Sequence, residues 1–186
     1  MRRTSADAKA AILRAARERF AEDGYDRATI RAIAADAGID PAMVMRYFGS
    51  KDQLFTAATD FDLKLPDLGT VAPDQLGTVL ATHFLNLWEH DESFQILLRS
   101  SVTNPAVGEQ MQQIFATQLV PAIAALAADE EVASRRAGLA ASQVLGMALC
   151  RYILCLPPIT AMDRDDVIAW IGPTLQRYLT GSLGST

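Results

Sequence analysis

Thr29, Tyr47 and Lys51 offer two hydroxyls and an ammonium, and Arg31 and Arg46 offer two guanidinium groups, all between positions 29 and 51. Hydroxyls and cations complement phosphate oxygens, and an arginine can read the O6 and N7 edge of guanine through paired hydrogen bonds. Ala42 and Met45 add apolar groups of the kind that touch a thymine methyl, and Asp40 and Met43 lie beside them. The chemistry of the set Thr29, Arg31, Asp40, Ala42, Met43, Met45, Arg46, Tyr47 and Lys51 is recognition of double-stranded DNA.

Such a set works only if helices present it. Thr29 is placed to cap a short helix carrying Ile30, Ile33, Ala34 and Ala37 on one face, and Gly38 can take the left-handed conformation that ends it. Asp40 caps the next helix, Pro41 suits its first position, and Met43, Val44, Tyr47 and Phe48 give it an apolar side. Gly49 stops this recognition helix. Ser50-Lys51-Asp52-Gln53 then reads as a reciprocal capping box opening a third helix, predicted to run past Leu54, Phe55, Ala58, Phe61 and Leu65 as far as Pro66. An amphipathic helix from about Asp7 to Asp23, with Ile12, Leu13, Ala16 and Phe20 inward, precedes the pair and stops at Gly24. Two helices joined by Ala37-Gly38-Ile39 behind a supporting helix make a helix-turn-helix reading head.

The charge distribution agrees with that reading. Overall the chain carries −5, but residues 1–51 hold ten Lys and Arg against seven acids, a balance of +3, leaving −8 for the rest. Positive potential is concentrated at the head, and the acidic remainder avoids nonspecific adhesion to nucleic acid. Enzyme chemistry has no comparable support. His83 and His90 lie seven apart with no His/Glu metal motif, nucleophile elbow or glycine-rich phosphate loop, so neither catalysis nor a cofactor is expected. A helical adaptor that binds protein is the rival reading, and it leaves the basic head unexplained.

From Ile12 to Leu54 the chain resembles the N-terminal domain of the tetracycline-repressor (TetR) family. The resemblance is carried by Thr29, Ile33-Ala34, Ala37-Gly38-Ile39, Tyr47-Phe48 and Ser50-Lys51-Asp52-Gln53-Leu54. Met45 stands where many members have tyrosine, and Asp40 where they have Ser or Thr. The resemblance implies a transcriptional regulator, usually a repressor, that binds an inverted-repeat operator as a homodimer. It also implies a larger helical domain that dimerises and releases DNA when a small apolar or amphipathic ligand binds.

The expected architecture is all-α, with a helix-turn-helix domain at 1–51, a regulatory and dimerisation domain at 52–186, and about nine helices in total. Body helices are expected near Pro73–His90, Ser93–Val102, Pro105–Ala128, Glu131–Leu156 and Asp163–Thr180. The fourth of these is apolar around most of its circumference and rich in small residues, and the last is amphipathic. The two together are expected to form a four-helix bundle with a second copy. Phe61, Phe84, Trp88, Phe94, Met111, Phe115 and Met147 are candidates for an apolar pocket, with His83, Gln118 or Arg151 as polar anchors. Arg151, a charge in an apolar helix, requires a partner such as a carboxylate. Cys150 and Cys155, five apart, read as buried thiols. No run of about eighteen apolar residues suits a membrane span, and no secretory signal opens the chain, so a cytoplasmic protein is expected.

Overall fold

The computed structural model describes residues 4–59, 62–90, 92–101, 104–127 and 129–181, and all regular structure among them is helical. In chain order the helices are α1 (Ser5–Arg27), α2 (Ile30–Ala37), α3 (Pro41–Phe48), α4 (Lys51–Ala58), α5 (Leu76–His90) and α6 (Glu92–Ser101). There follow α7 (Pro105–Ile114), α8 (Val120–Ala124), α9 (Glu130–Ala148), α10 (Pro157–Thr160) and α11 (Arg164–Thr180). None is long and apolar enough to cross a membrane among the described residues.

Two compact units result. The first comprises Met1–Phe61 and Asp91–Met111, the second Asp62–His90 and Gln112–Thr186. The boundary expected after residue 51 thus falls inside the first unit, because α4 packs against α1, and so does α6 from much later in the chain.

In the first unit, α1 starts with a complete capping box between Thr4 and Asp7, and its helical backbone breaks at Gly24, whose φ of 75° is open to glycine without strain. Ile12, Ala16 and Phe20 of α1 are buried, as are Ile33, Val44, Leu54 and Leu97 of the other helices of this unit. Thr29, Asp40 and Ser50 cap α2, α3 and α4 through their side chains. Gly38 ends α2 in the left-handed region at φ 62°. Ser50 Oγ accepts the Gln53 N–H at 3.0 Å, but the expected return bond from the Gln53 side chain does not form. That side chain lies against Gly49 instead.

α4 ends at Ala58, seven residues before the predicted Leu65. Thr59 Oγ1 turns back to the Phe55 carbonyl at 2.7 Å and also reaches Gln110 Oε1 at 3.1 Å, while the Gln110 amide donates to the Thr59 carbonyl at 2.9 Å. Arg17 Nε takes the Ala58 carbonyl at 2.8 Å. The last carbonyls of α4 are therefore satisfied by side chains, which removes the need for another turn.

In the second unit, α5 lies along α11 so closely that Gly77 meets backbone, its N–H donating to Gln176 Oε1 at 2.8 Å. Leu80, Leu85, Trp88, Ile123, Ala137, Val144, Leu175 and Leu179 form the surrounding core. Two helices contain a widened turn. Between α7 and α8 the Val120 N–H bonds to the Phe115 carbonyl, just before Pro121, which has no N–H to offer. After α9 the Leu154 N–H bonds to the Leu149 carbonyl at 2.8 Å, and Cys155 then turns left-handed at φ 49°. The helix predicted as far as Leu156 loosens here because Pro157-Pro158 cannot continue it. Cys155 is consequently exposed and Cys150 half-buried, which corrects the expectation of two buried thiols.

Candidate nucleic-acid interface

Within the first unit, the turn at Gly38 and Ile39 sets α3 against α2, with Val44 as the one fully buried residue of α3. That single anchor leaves most of the helix surface for other purposes. Ala42, Met45 and Arg46 are exposed, Met45 at 43 % of its maximum, and Met43, Tyr47 and Phe48 are half-buried. The sequence reading placed Met43 and Tyr47 on the apolar side, and the partial exposure of both leaves edges that a ligand can reach.

Thr29 is exposed and its Oγ1 accepts the Ala32 N–H at 3.1 Å, so its hydroxyl proton remains free to donate. Asp40 Oδ1 accepts the Ala42 N–H at 2.7 Å, which uses the carboxylate as a helix cap. Arg31 and Arg46 are exposed and make no hydrogen bond or ion pair with any described residue. Arg19 differs. Its guanidinium is paired with Asp36 at 2.7 Å and Asp23 at 3.4 Å, which commits this cation to acids of the head itself. The Lys9 ammonium lies 5.7 Å from the Tyr47 ring centroid and adds positive charge at that ring.

Lys51 is anchored by groups that sequence reasoning missed. Its ammonium donates to the Asp26 carbonyl at 3.2 Å and stands 4.4 Å from the centroid of the Tyr25 ring. The Tyr25 hydroxyl donates to Asp52, the next residue of α4. The ring itself is wedged edge-on against Phe55 at 5.1 Å and stacked near Phe20 at 6.0 Å. These contacts join residues 25–27 positions apart, and the helical periodicity carries no mark of them.

Burial, reinforced by the hydrogen bond to the Asp52 carboxylate, pushes the Tyr25 phenol from an ordinary 10.0 up to about 12. A group whose pKa is raised by folding stabilises the fold fully below its unfolded value and loses that contribution as pH climbs through the folded one. Between pH 10 and 12 the melting temperature, followed by circular dichroism, should fall more steeply for this protein than for its Tyr25→Phe variant. Parallel curves would show that folding does not raise the Tyr25 pKa.

The residues considered for a ligand pocket are divided between the two units. Phe61 lies outside the described residues. Phe94, buried, and Met111, half-buried, belong to the first unit, while Phe84, Trp88, Phe115, Gln118, Met147 and Arg151 belong to the second. Phe84 and Trp88 are buried, with Trp88 stacked near Tyr152 at 6.1 Å, and Met147 packs with Leu85 and Val167. Gln118 Oε1 accepts the Leu63 N–H at 2.7 Å, and His83 Nε2 pairs with the Leu63 carbonyl at 2.8 Å. Arg151 has its partner, although not the expected carboxylate: it donates to the Ile159 and Met162 carbonyls at 2.5 and 2.9 Å. On the face shared by α9, α10 and α11 an apolar groove of about 550 Å³ is lined by Gly146, Met147, Cys150, Leu156, Pro158 and Ile171, among others.

Family comparisons cover both parts of the chain. Residues 12–58 match the model described as bacterial regulatory proteins of the tetR family, and residues 74–179 match the tetracycline repressor-like C-terminal domain. A helix-turn-helix transcriptional repressor of Mycobacterium tuberculosis is 49 % identical over 51 residues, which is 27 % of this chain and 27 % of that protein. The alignment with the curated relatives thus spans about a quarter of their length. A TetR-family regulator of Streptomyces coelicolor superposes with a TM-score of 0.65 at 26 % identity, covering 96 % of this chain and 97 % of the other. NalD of Pseudomonas aeruginosa, the secondary repressor of the MexAB-OprM multidrug efflux pump, has the same fold, with a TM-score of 0.70, 20 % identity and coverage of 94 % and 97 %.

Proposed function

This chain belongs to the tetracycline-repressor family of helix-turn-helix transcriptional regulators, and we propose that it works as a homodimeric repressor that binds an inverted-repeat operator and leaves it when a small molecule binds. The observation that carries the DNA-reading part is the surface of α3, where Ala42, Met45 and Arg46 face solvent around the single buried anchor Val44. A recognition helix needs that combination of a fixed backbone and free base-reading side chains. Arg46 and Arg31 take guanine edges, and Ala42, Met43 and Met45 supply the apolar contacts. Thr29, Tyr47 and Lys51 bind phosphate and set the register, while Asp40 keeps to its capping role.

Dimerisation is supported by what the second unit leaves uncovered. Trp170 of α11 is 72 % exposed, Leu154 56 % and Leu156 43 %. Leu139, Gln143, Gly146 and Cys150 recur at helical spacing along α9 and its widened end, the last three of them lining the apolar groove. Exposed large apolar groups of this kind mark an interaction surface, and a two-fold axis would bury the same patch on both copies. Two reading heads so related would enter successive major grooves, half-sites roughly 34–36 Å apart or slightly more.

For ligand release, the support is the family membership together with the polar groups of the second unit. Gln118 is already committed to Leu63, so a ligand that takes its amide must break a bond to the segment following α4. A small apolar or amphipathic molecule that raises the melting temperature and lowers operator affinity would bear out this part, and a broad metabolite screen without either effect would refute it.

The direct test is selection of genomic fragments by the purified protein, followed by titration of the best site at two salt concentrations. An enriched inverted repeat bound in a salt-sensitive manner is expected, and no enrichment from a folded protein would sink the proposal. Within that assay, Tyr47→Ala and Lys51→Ala should each weaken binding about tenfold without dissociating the dimer. Lys51→Ala should also reduce the slope of log affinity against log salt by about 1.8, two phosphate contacts per bound dimer at about 0.9 each. Unchanged affinity in both variants would remove these residues from the backbone clamp.

A further inference from the structure

Asp52 is a liability at the place it occupies. It sits in the first turn of α4, where a carboxylate favours the helix dipole but repels an approaching phosphate, and its neighbour Lys51 is the cation proposed to meet that phosphate. One aromatic residue deals with both. The face of Tyr25 receives the Lys51 ammonium, and its hydroxyl donates to the Asp52 carboxylate. Phe20 and Phe55 fix the ring, so neither contact depends on a mobile side chain.

We propose that Tyr25 is a positioning residue for DNA binding, which draws the Asp52 carboxylate back from the phosphate and keeps the Lys51 ammonium available to it. The inference rests on the DNA-reading function proposed above. Tyr25 has no role of its own at the DNA; it acts through the two residues that open α4. The ring orders the lysine before binding, which reduces the entropy lost when a phosphate is gripped. The hydroxyl supplies Asp52 with a neutral donor, so the carboxylate has no need of the lysine as a partner.

The test is a double-mutant cycle on the full-length protein with the operator recovered by selection. Tyr25→Phe retains the ring, releases the carboxylate and forgoes the hydroxyl's bond with Asn104, and should weaken operator binding about three- to tenfold at low salt, with the deficit shrinking as salt screens the freed charge. Asp52→Asn alone should change affinity less than twofold, because the carboxylate is already withdrawn. Combined, Tyr25→Phe and Asp52→Asn should return to within about twofold of the unmodified protein, a rescue that a purely structural role for Tyr25 would not produce. A double variant as weak as Tyr25→Phe, or a folded Tyr25→Phe protein with unaltered affinity, overturns the proposal. Should Tyr25→Phe fail to fold, the Asp52→Asn protein decides alone: a tenfold gain in affinity would mean that the carboxylate is not withdrawn. Failure of the unmodified protein to bind any sequence would instead refute the DNA-reading function itself.

Discussion

Trp170→Glu should convert the protein to monomers at micromolar concentration and lower operator affinity by at least about a hundredfold. At 72 % exposure on α11, the indole is the largest uncovered apolar group among the described residues. A tryptophan buries about 150–250 Å² when fully covered, and central aromatic anchors of an interface lose about 2 kcal/mol or more on truncation. A two-fold axis counts the loss twice and sets two new carboxylates near one another. DNA affinity follows because the second head binds as part of the same particle, and an unlinked head forfeits the effective concentration this provides. Light scattering gives the mass and a fluorescence titration gives the affinity. A Trp170→Glu protein that remains dimeric would place the contact elsewhere and remove the four-helix bundle proposed here.

Gly77→Ala should be the most destabilising methyl that can be added at a glycine of the second unit's interior. A Cβ at this position would lie 2.2 Å from the Gly172 carbonyl oxygen and 2.5 Å from the Gln176 nitrogen. Both obstacles are backbone, so no rotamer change relieves the clash, and α5 must move off α11. The separation would also strain the Gly77 N–H bond to Gln176 and that residue's bond to the Pro73 carbonyl. Overpacking of this kind costs about 3 kcal/mol, which for a chain of this size lowers the melting temperature by about 6–12 °C. Gly138→Ala is the control. Nothing lies within 4 Å of its added Cβ, and alanine in mid-helix should be neutral or slightly stabilising. Equal melting temperatures for the two variants would contradict the close approach of α5 and α11.

The contrast between those glycines also explains what the sequence reveals and what it conceals. The reading head was legible because its boundaries are local chemistry. Thr29, Asp40 and Ser50 each cap the helix that follows them, and Gly24, Gly38 and Gly49 take the positive φ that ends the one before. The all-helical class followed from periodicity. The end of α4 did not, because Thr59, Gln110 and Arg17 terminate it through contacts across the fold. The widened turns are prefigured by Pro121 and by Pro157-Pro158, but only as breaks, and a break does not announce that Cys155 will be exposed. Arg151 declares its need for a partner without saying that two carbonyls will meet it. Tyr25 was the most serious omission. One aromatic just past the break at Gly24 has no periodic signature, and its link to the reading head lies in Lys51 and Asp52.

The discontinuity of the first unit bears on how the protein is made and on how it can be re-engineered. A ribosome releases the reading helices long before Asp91–Met111, the segment whose α6 packs against α1 and whose Gln110 secures the end of α4. The nascent head therefore waits, incompletely buttressed, while the intervening stretch is synthesised. Transplanting this operator specificity onto another sensor body requires that later segment to travel with the first sixty-one residues; a chimera cut after the helix-turn-helix would carry the letters of the address without the frame that holds them in order.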